Sequence, residues 1–297
     1  MSVYVETAIE SDDKNNMGVD LERIFVRILG NDYINADIGR FHTSVGYYNT
    51  SFHHGAWFQT AVGRPTILSF EDGGGIIPSH MVGIALTGEI PSGKANARYF
   101  LEVGNGRHFS DDSGVVSNFV DDNSYKAINA GFTAKPDAVP GLQVGAGAYI
   151  DSITSLKDLA GNIGGTGRVQ ETMIHGHAVY KNADWEFLSE GYLIRHKIAH
   201  GGRTDWTTAG FAQLGRKFGT WTPYARMAYL NAPTGDVVYQ ANNLNESGLH
   251  YTAGVGLRWD FCNFAAAKAE FDHDFNKGGR FEQDDFAGRV HVLIHTA

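Results

Sequence analysis

The sequence has little of several features that define common classes of protein. A single cysteine, Cys262, among 297 residues excludes an internal disulfide framework and a cysteine-rich zinc site. No run of about 18 apolar residues occurs, which excludes a transmembrane helix. The formal net charge of −9 argues against a nucleic-acid partner, because such a partner normally requires a basic surface.

Motifs of nucleotide-binding, catalytic and targeting segments are also missing. GNIGGTG at 161–167 lacks the Lys and Ser or Thr of a phosphate-binding loop, and no G-x-S-x-G nucleophile elbow exists. We therefore predict no enzyme and no cofactor. The first residues, MSVYVETAIE, have neither the basic start nor the apolar stretch of a signal peptide. We expect either a cytoplasmic chain or a mature or N-terminally incomplete form.

The sequence does contain 37 glycines, 12% aromatic residues and a strict alternation of apolar and polar residues. In LHYTAGVGLRWD, the odd positions hold Leu249, Tyr251, Ala253, Val255, Leu257 and Trp259, and the even positions hold His250, Thr252, Gly254, Gly256, Arg258 and Asp260. Such a segment is typical of a strand with one apolar and one polar face. FAAAKAEFDHD, FAGRVHVLIHTA, GLQVGAGAYID and QETMIHGHAVY repeat the pattern.

These segments are longer than the usual strand of a soluble sandwich and approach the ~10 residues that cross a bilayer when tilted. Aromatic residues gather at the ends of the apolar faces, as in the girdles of membrane barrels: Trp185, Trp221, Trp259, Tyr229 and Tyr251. The mean hydropathy of −0.25 is compatible with such a barrel, because only every second residue is apolar.

We predict an all-β, antiparallel up-and-down transmembrane barrel as a single domain over residues 1–297. Its fourteen strands are predicted at 3–10, 20–29, 34–42, 80–90, 96–104, 124–134, 141–151, 169–180, 185–196, 205–216, 221–230, 249–260, 264–274 and 285–295. Short and long links alternate between them, as periplasmic turns and extracellular loops do. Both termini are then expected on the periplasmic side.

The whole chain resembles bacterial outer-membrane porins. GRFHTSVGYYN and HHGAW resemble the long loop of putative porins distantly similar to the phosphate-selective type. The resemblance implies an outer-membrane location, contact with membrane lipid, passive diffusion of small hydrophilic solutes or ions, and a homotrimer. It also implies sixteen strands if an N-terminal hairpin is missing. The chain ends in HTA, whereas barrels of this class usually end in an aromatic residue.

The longest link, 43–79, is expected to fold into the lumen, as the long loop of general porins does. A loop packed there needs aromatic side chains to bury, and Tyr47, Tyr48, Phe52, Trp57 and Phe58 supply them. The residues that we predict to form the constriction are Tyr47, Tyr48, His53, His54, Trp57 and Arg64.

The polar faces of the strands are predicted to line the pore. Their residues are Arg23, Arg27, Asp37, Arg98, Glu102, Glu171, His175, His177, Glu186, Glu190, Arg226, Arg258, Lys268, Glu270, Asp272 and Arg289. Two interpretations stay open: a transverse field that orients polar solutes, or charges that pair and stiffen the wall. The mixture does not favour anions. Because metal sites need three or four convergent ligands, the histidines are interpreted as pore lining and no metal site is predicted.

Two other classes of function remain open from the sequence. The first is an outer-membrane barrel enzyme that acts on lipids, which would not conduct ions. The second is a soluble β-sandwich or propeller that binds carbohydrate through exposed aromatic residues and purifies without detergent.

Overall fold

The computed structural model describes residues 1–11, 17–53, 57–68, 76–110, 114–117, 123–155, 168–199, 202–241, 248–277 and 285–294. The strands are β1 (Ser2–Ser11), β2 (Met17–Asn31), β3 (Ile34–His42), β4 (His80–Ile90), β5 (Ala97–Asn105), β6 (Arg107–Ser110), β7 (Gly114–Ser117), β8 (Ala127–Ala134), β9 (Leu142–Ser155), β10 (Arg168–Lys181), β11 (Trp185–Ile198), β12 (Thr204–Arg216), β13 (Trp221–Ala232), β14 (Gly248–Cys262), β15 (Ala265–Lys277) and β16 (Asp285–Ile294). The helices are α1 (Tyr48–Phe52) and α2 (Val237–Ala241), and 3₁₀ turns lie at Thr66–Leu68 and Gly93–Ala95. Within the described part of the chain, no helix has the length and hydropathy to cross a bilayer.

Fourteen strands form one continuous sheet in chain order, from β1 to β5 and from β8 to β16. Each pairs antiparallel with the strand before it, so the topology is up-and-down. All fourteen predicted strands are present, and β3 and β4 have the predicted bounds. The predicted all-β fold class is confirmed.

Two short strands, β6 and β7, were not predicted. They pair with each other, and β6 also runs parallel to the end of β9 at His108 and Thr154. Several sheet strands are also longer than predicted; β2, for example, begins at Met17. The first link, predicted as a long one between residues 10 and 20, is reduced to residues 12–16 and is shorter than the turn 135–141. The alternation of link lengths is therefore less strict than predicted.

The register is regular over most of the sheet, so the sequence alternation sets which side chains share a face. Strands β10 and β11 pair without a shift from Val169 opposite Ile198 to Lys181 opposite Glu186. One irregularity lies between β1 and β2, where Glu6 opposes Arg23 and Thr7 opposes Leu21. Glu22 is the extra residue of this β-bulge, and a bulge re-aims the side chains beside it.

The apolar core lies between one face of the sheet and segment 43–79. From the segment it includes Val45, Tyr48, Phe52, Ile67, Leu68, Ile76 and Ile77, and from the sheet it includes Met173, Tyr192, Phe211 and Leu230. Phe58 was expected to be buried in this packing, but its side chain is 62% exposed. The expectation fails because the chain turns at 57–58, on the way from α1 to the buried stretch at 59–62.

Candidate functional site

The two faces of the sheet differ in character. Each of the fourteen strands exposes at least one large apolar side chain on what we name the outer face: Val3, Ile28, Ile38, Ile84, Val103, Ile128, Ile150, Ile174, Leu193, Leu214, Met227, Val255, Phe271 and Val292. Trp221 and Trp259 stack near the short turns, with their ring centroids 4.9 Å apart. Soluble proteins rarely expose apolar surface of this extent, so the outer face is not suited to contact with water.

The inner face, opposite the outer face, carries the predicted polar side chains and contacts segment 43–68. At the start of the segment, the Ser44 amide donates to Glu102 Oε1 at 2.9 Å. The Tyr48 amide donates to Glu190 Oε1 at 2.6 Å. These contacts tie the segment to β5 and β11, because backbone donors that leave water must find acceptors.

Farther along, the segment is held by Glu270 on β15. Its two carboxylate oxygens accept from the amides of Val62 at 2.9 Å and Gly63 at 3.0 Å. Arg226 on β13 donates to the Gly63 carbonyl at 2.7 Å and to Glu270 Oε1 at 2.9 Å. Tyr224 donates its hydroxyl to Glu270 Oε2 at 2.5 Å. We name these five residues the Glu270 latch.

Cations of the inner face bind the segment's carbonyl groups. Arg258 Nη1 donates to the Trp57 carbonyl at 2.5 Å and to the Gln59 carbonyl at 3.1 Å. Lys268 Nζ also donates to the Gln59 carbonyl, and it lies 3.3 Å from that of Ala61. The wall's carboxylates thus accept from the segment's amides, while its cations donate to the carbonyl oxygens, and these charge-assisted bonds are stronger than neutral ones.

One short stretch of chain therefore contacts strands from β5 to β15. Since a flat sheet of this width could not reach a single loop from both sides, the sheet curves around the segment. Eight of the sixteen predicted lining residues form hydrogen bonds to the described part of the segment: Glu102, His175, Glu186, Glu190, Arg226, Arg258, Lys268 and Glu270.

The other eight predicted lining residues form ion pairs or hydrogen bonds with residues outside the segment. The pairs are Arg23 with Glu6, Arg27 with Asp37, Arg98 with Glu89, Glu171 with Arg107, Asp272 with Arg289, and His177 with Gln143. Both interpretations of the mixed charges assumed that they face solvent or each other. Seven of the sixteen instead bond to the backbone of segment 43–68, and Glu186 accepts from the Thr60 hydroxyl, which neither interpretation included.

The residues predicted for the constriction occupy different surroundings. Tyr48 packs on Phe211 and donates its hydroxyl to Gln59, and burial raises the pKa of its phenol, which keeps this donor protonated. Trp57 lies 5.2 Å from the Arg258 guanidinium, and Arg64 donates to the carbonyl of His53. Tyr47 is half-buried, whereas His53 is buried. His54 lies outside the described residues.

Comparison with solved structures identifies the fold. OmpT of Vibrio cholerae, an outer-membrane protein, matches 99% of this chain and 85% of its own at 15% identity with a TM-score of 0.60. The channel DcaP of Acinetobacter baumannii matches 98% and 78% at 10% identity with a TM-score of 0.62. OccK2 of Pseudomonas aeruginosa, solved with glucuronate, matches 97% and 73% at 11% identity with a TM-score of 0.55.

The fold is the outer-membrane porin barrel. No protein-family model matches the chain, and no curated protein matches it in sequence. The likeness is thus one of backbone architecture, and the chemistry of the site must be taken from the residues of this barrel.

At the long-loop end of the barrel, a buried network joins three loops to the wall. His196 on β11 contacts Asp236 through Nδ1 at 2.6 Å and Glu171 through Nε2 at 2.7 Å. Arg107 also donates to Glu171 and reaches the Ile76 carbonyl at 3.2 Å. Because both nitrogens of His196 are held by carboxylates, this histidine cross-links loops and has no nitrogen left for a substrate.

A cluster of three histidines and one glutamate lies where segment 43–79 leaves and rejoins the barrel wall. Glu22, His42, His53 and His80 each offer one ligand atom, and these atoms lie within 4.8 Å of one another. We name this group the loop-base cluster. The sequence pattern does not bring these four residues together, because they come from β2, β3, the segment and β4. The one available signal was a histidine on each side of the longest link.

Two cavities lie at the short-turn end of the barrel, next to segment 43–68. One of about 280 Å³ is bounded by Trp57, Thr60, Arg258 and the turn 182–184. The other, of about 440 Å³, is bounded by Tyr47 and the turn 135–141. Lys181 lines both cavities, and its ammonium also lies 3.0 Å from Glu186. Lys181 is therefore the residue that these two cavities share.

Proposed function

We propose that this protein is an outer-membrane channel through which small polar solutes diffuse passively. The observation that carries the proposal is the difference between the two faces: the outer face exposes large apolar side chains on all fourteen strands, and the inner face holds charged side chains. A barrel in lipid requires an apolar exterior, whereas a water-filled interior tolerates charge.

Segment 43–79 is the proposed constriction. Support comes from the hydrogen bonds that the described residues between 44 and 63 form with β5, β11, β13, β14 and β15. A segment held by so many charged partners stays in place while solutes pass between it and the wall. Its position, together with the two cavities at the short-turn end, favours small solutes over large ones.

Selectivity is proposed to be general or to lean slightly toward cations. The wall combines cations with carboxylates, and several of each are occupied by the segment's backbone. Such a lining offers no uniformly basic path, so the phosphate-selective character suggested by the sequence resemblance is not supported. The bound glucuronate of OccK2 belongs to that protein, whose likeness to this chain is one of fold.

We also propose a homotrimer, which the porin resemblance implied. OmpT of Vibrio cholerae has been solved in a trimer form and matches 98% of this chain with a TM-score of 0.53. Chemical cross-linking in detergent tests the proposal: a ladder that ends at three chains supports it, and a single monomer band contradicts it.

Planar-bilayer recording of the purified full chain tests the channel. We expect discrete conductance steps and a reversal potential near zero or slightly cation-selective in a salt gradient. A silent bilayer, combined with hydrolysis of added phospholipid or lipopolysaccharide, would replace the channel by the enzyme that the sequence left open. Purification without detergent would instead favour the soluble carbohydrate-binding sandwich.

A further inference from the structure

We propose that the loop-base cluster is a structural zinc site. Its ligands would be one oxygen of Glu22 and one nitrogen each of His42, His53 and His80. The inference goes beyond the proposed channel function and does not depend on conduction.

The distances in the cluster suit a single ion. Glu22 Oε2 lies 3.2 Å from His80 Nε2 and 3.9 Å from His53 Nε2. The three imidazole rings are mutually close, with centroids 4.2, 4.7 and 4.9 Å apart. Four tetrahedral ligand atoms at zinc bond lengths of about 2.1 Å lie roughly 3.4 Å apart. The two distances from Glu22 lie on either side of that value, and all four ligand atoms lie within 4.8 Å of one another.

The types of ligand atom also indicate which metal ion the cluster would bind. Three imidazole nitrogens and one carboxylate oxygen suit zinc and its transition-metal neighbours, whereas calcium and magnesium take oxygen ligands. Four protein ligands complete a tetrahedron and leave no open position, which is the arrangement of a structural site. Glu22, His53 and His80 are buried and His42 is half-buried, so the ligands are enclosed by protein.

A second shell fixes the tautomer of His53. The Asn49 side-chain amide donates to the carbonyl oxygens of Thr43 at 2.9 Å and Ser79 at 3.0 Å, which orients its Oδ1 as an acceptor. Oδ1 lies 3.0 Å from His53 Nδ1, so Nδ1 carries the proton. The lone pair of neutral His53 is then on Nε2, the atom nearest Glu22. Metal-binding histidines are oriented by such second-shell acceptors.

The architecture places the four ligands where an ion would fasten the long segment. His42 and His80 are directly opposite each other in the β3–β4 register, and the Thr43 amide donates to the Ser79 carbonyl at 2.9 Å. Glu22 comes from the β-bulge of β2, and His53 follows α1 within the segment. One zinc ion would therefore join both ends of the segment, its first helix and a neighbouring strand.

Metal titration of the untagged full chain, refolded in detergent after EDTA treatment, tests the site. We expect one Zn²⁺ per chain by mass spectrometry of the metal content. Co²⁺ should give the intense visible absorption bands of a tetrahedral site. A wild-type protein that binds no ion, or that shows only the weak bands of six-coordinate Co²⁺, overturns the proposal.

Matched variants locate the binding. Glu22→Gln and His53→Gln should each weaken Zn²⁺ binding by about 100-fold or more, since changes even in the second shell weaken it 10- to 100-fold. His273→Gln, on β15 beside Phe275, removes a histidine elsewhere and should bind like the wild type. Equal binding by all four proteins also overturns the proposal. If a variant does not fold, the Co²⁺ spectrum of the wild type still decides.

Discussion

The Glu270 latch offers the sharpest test of the proposed constriction. Glu270→Gln keeps the side chain's size but removes its charge and one acceptor oxygen. The amides of Val62 and Gly63 then compete for a single oxygen, and Arg226 loses its ion pair at 2.9 Å. Packing of the wall is otherwise unchanged, because Gln and Glu are nearly the same shape.

The cost can be worked from these contacts. Hydrogen bonds to charged groups contribute about 1.5–3 kcal/mol each, and removing one partner of a buried pair costs about 3–5 kcal/mol. We take about 3 kcal/mol as the loss of attachment at this point. That loss shifts the equilibrium between the segment bound to the wall and the segment detached from it by about 150-fold toward detachment.

Single-channel recording measures the shift. The variant should spend far more time in a larger-conductance state than the wild type, because the segment no longer blocks the same area of the interior. Glu89→Gln is the matched control, since the pair of Glu89 and Arg98 is about half-exposed at each side chain and contributes at most about 1 kcal/mol. If Glu270→Gln and Glu89→Gln both give wild-type conductance and dwell times, the latch does not position a constriction.

Two further substitutions test the outer face and the solute path. Val255→Arg places a cation on the apolar face of β14, where its side chain is 58% exposed, and should destabilise the barrel in lipid by about 2–4 kcal/mol; Val255→Leu should not. Equal unfolding midpoints of the two variants in urea, measured in liposomes, would contradict a lipid-facing surface. Lys181→Glu should move the reversal potential toward cations, because the residue lines both cavities; Lys94→Glu, at the exposed turn 93–95, should not. An unchanged reversal potential for Lys181→Glu would mean that ions take another path.

The strands were predictable because apolar and polar residues alternate within each one, according to whether a side chain faces the outer or the inner face. The apolar residues of LHYTAGVGLRWD face outward in β14, and the polar ones face inward, as the alternation indicated. A repeat of two residues needs no knowledge of the neighbouring strand, so all fourteen strands could be found one at a time. Their ends were less certain, because β2 and β9 extend past the positions where the alternation weakens.

The site was less predictable because it depends on which distant residues meet. Nothing in the sequence near Gly63 indicates Glu270, and nothing near His53 indicates Glu22. The bulge that re-aims Glu22 results from a register shift between two strands, which a single strand's pattern cannot reveal. Helix α1 and strands β6 and β7 are also too short to carry a periodic signal. The prediction of no metal site rested on the spacing of histidines along the sequence, which cannot reveal such a long-range cluster.

The contact between Val62 and Glu270 joins residues 208 positions apart in the chain. Neighbouring strands can pair one hairpin after another. The contact between Val62 and Glu270, however, cannot form until β13, β14 and β15 have taken their places in the wall. Docking of the segment must therefore come late in folding, after the wall has curled, because distant contacts form only when the intervening chain is already ordered. The species that precedes docking would have a complete wall and an undocked segment, and its interior would be wider than that of the finished protein.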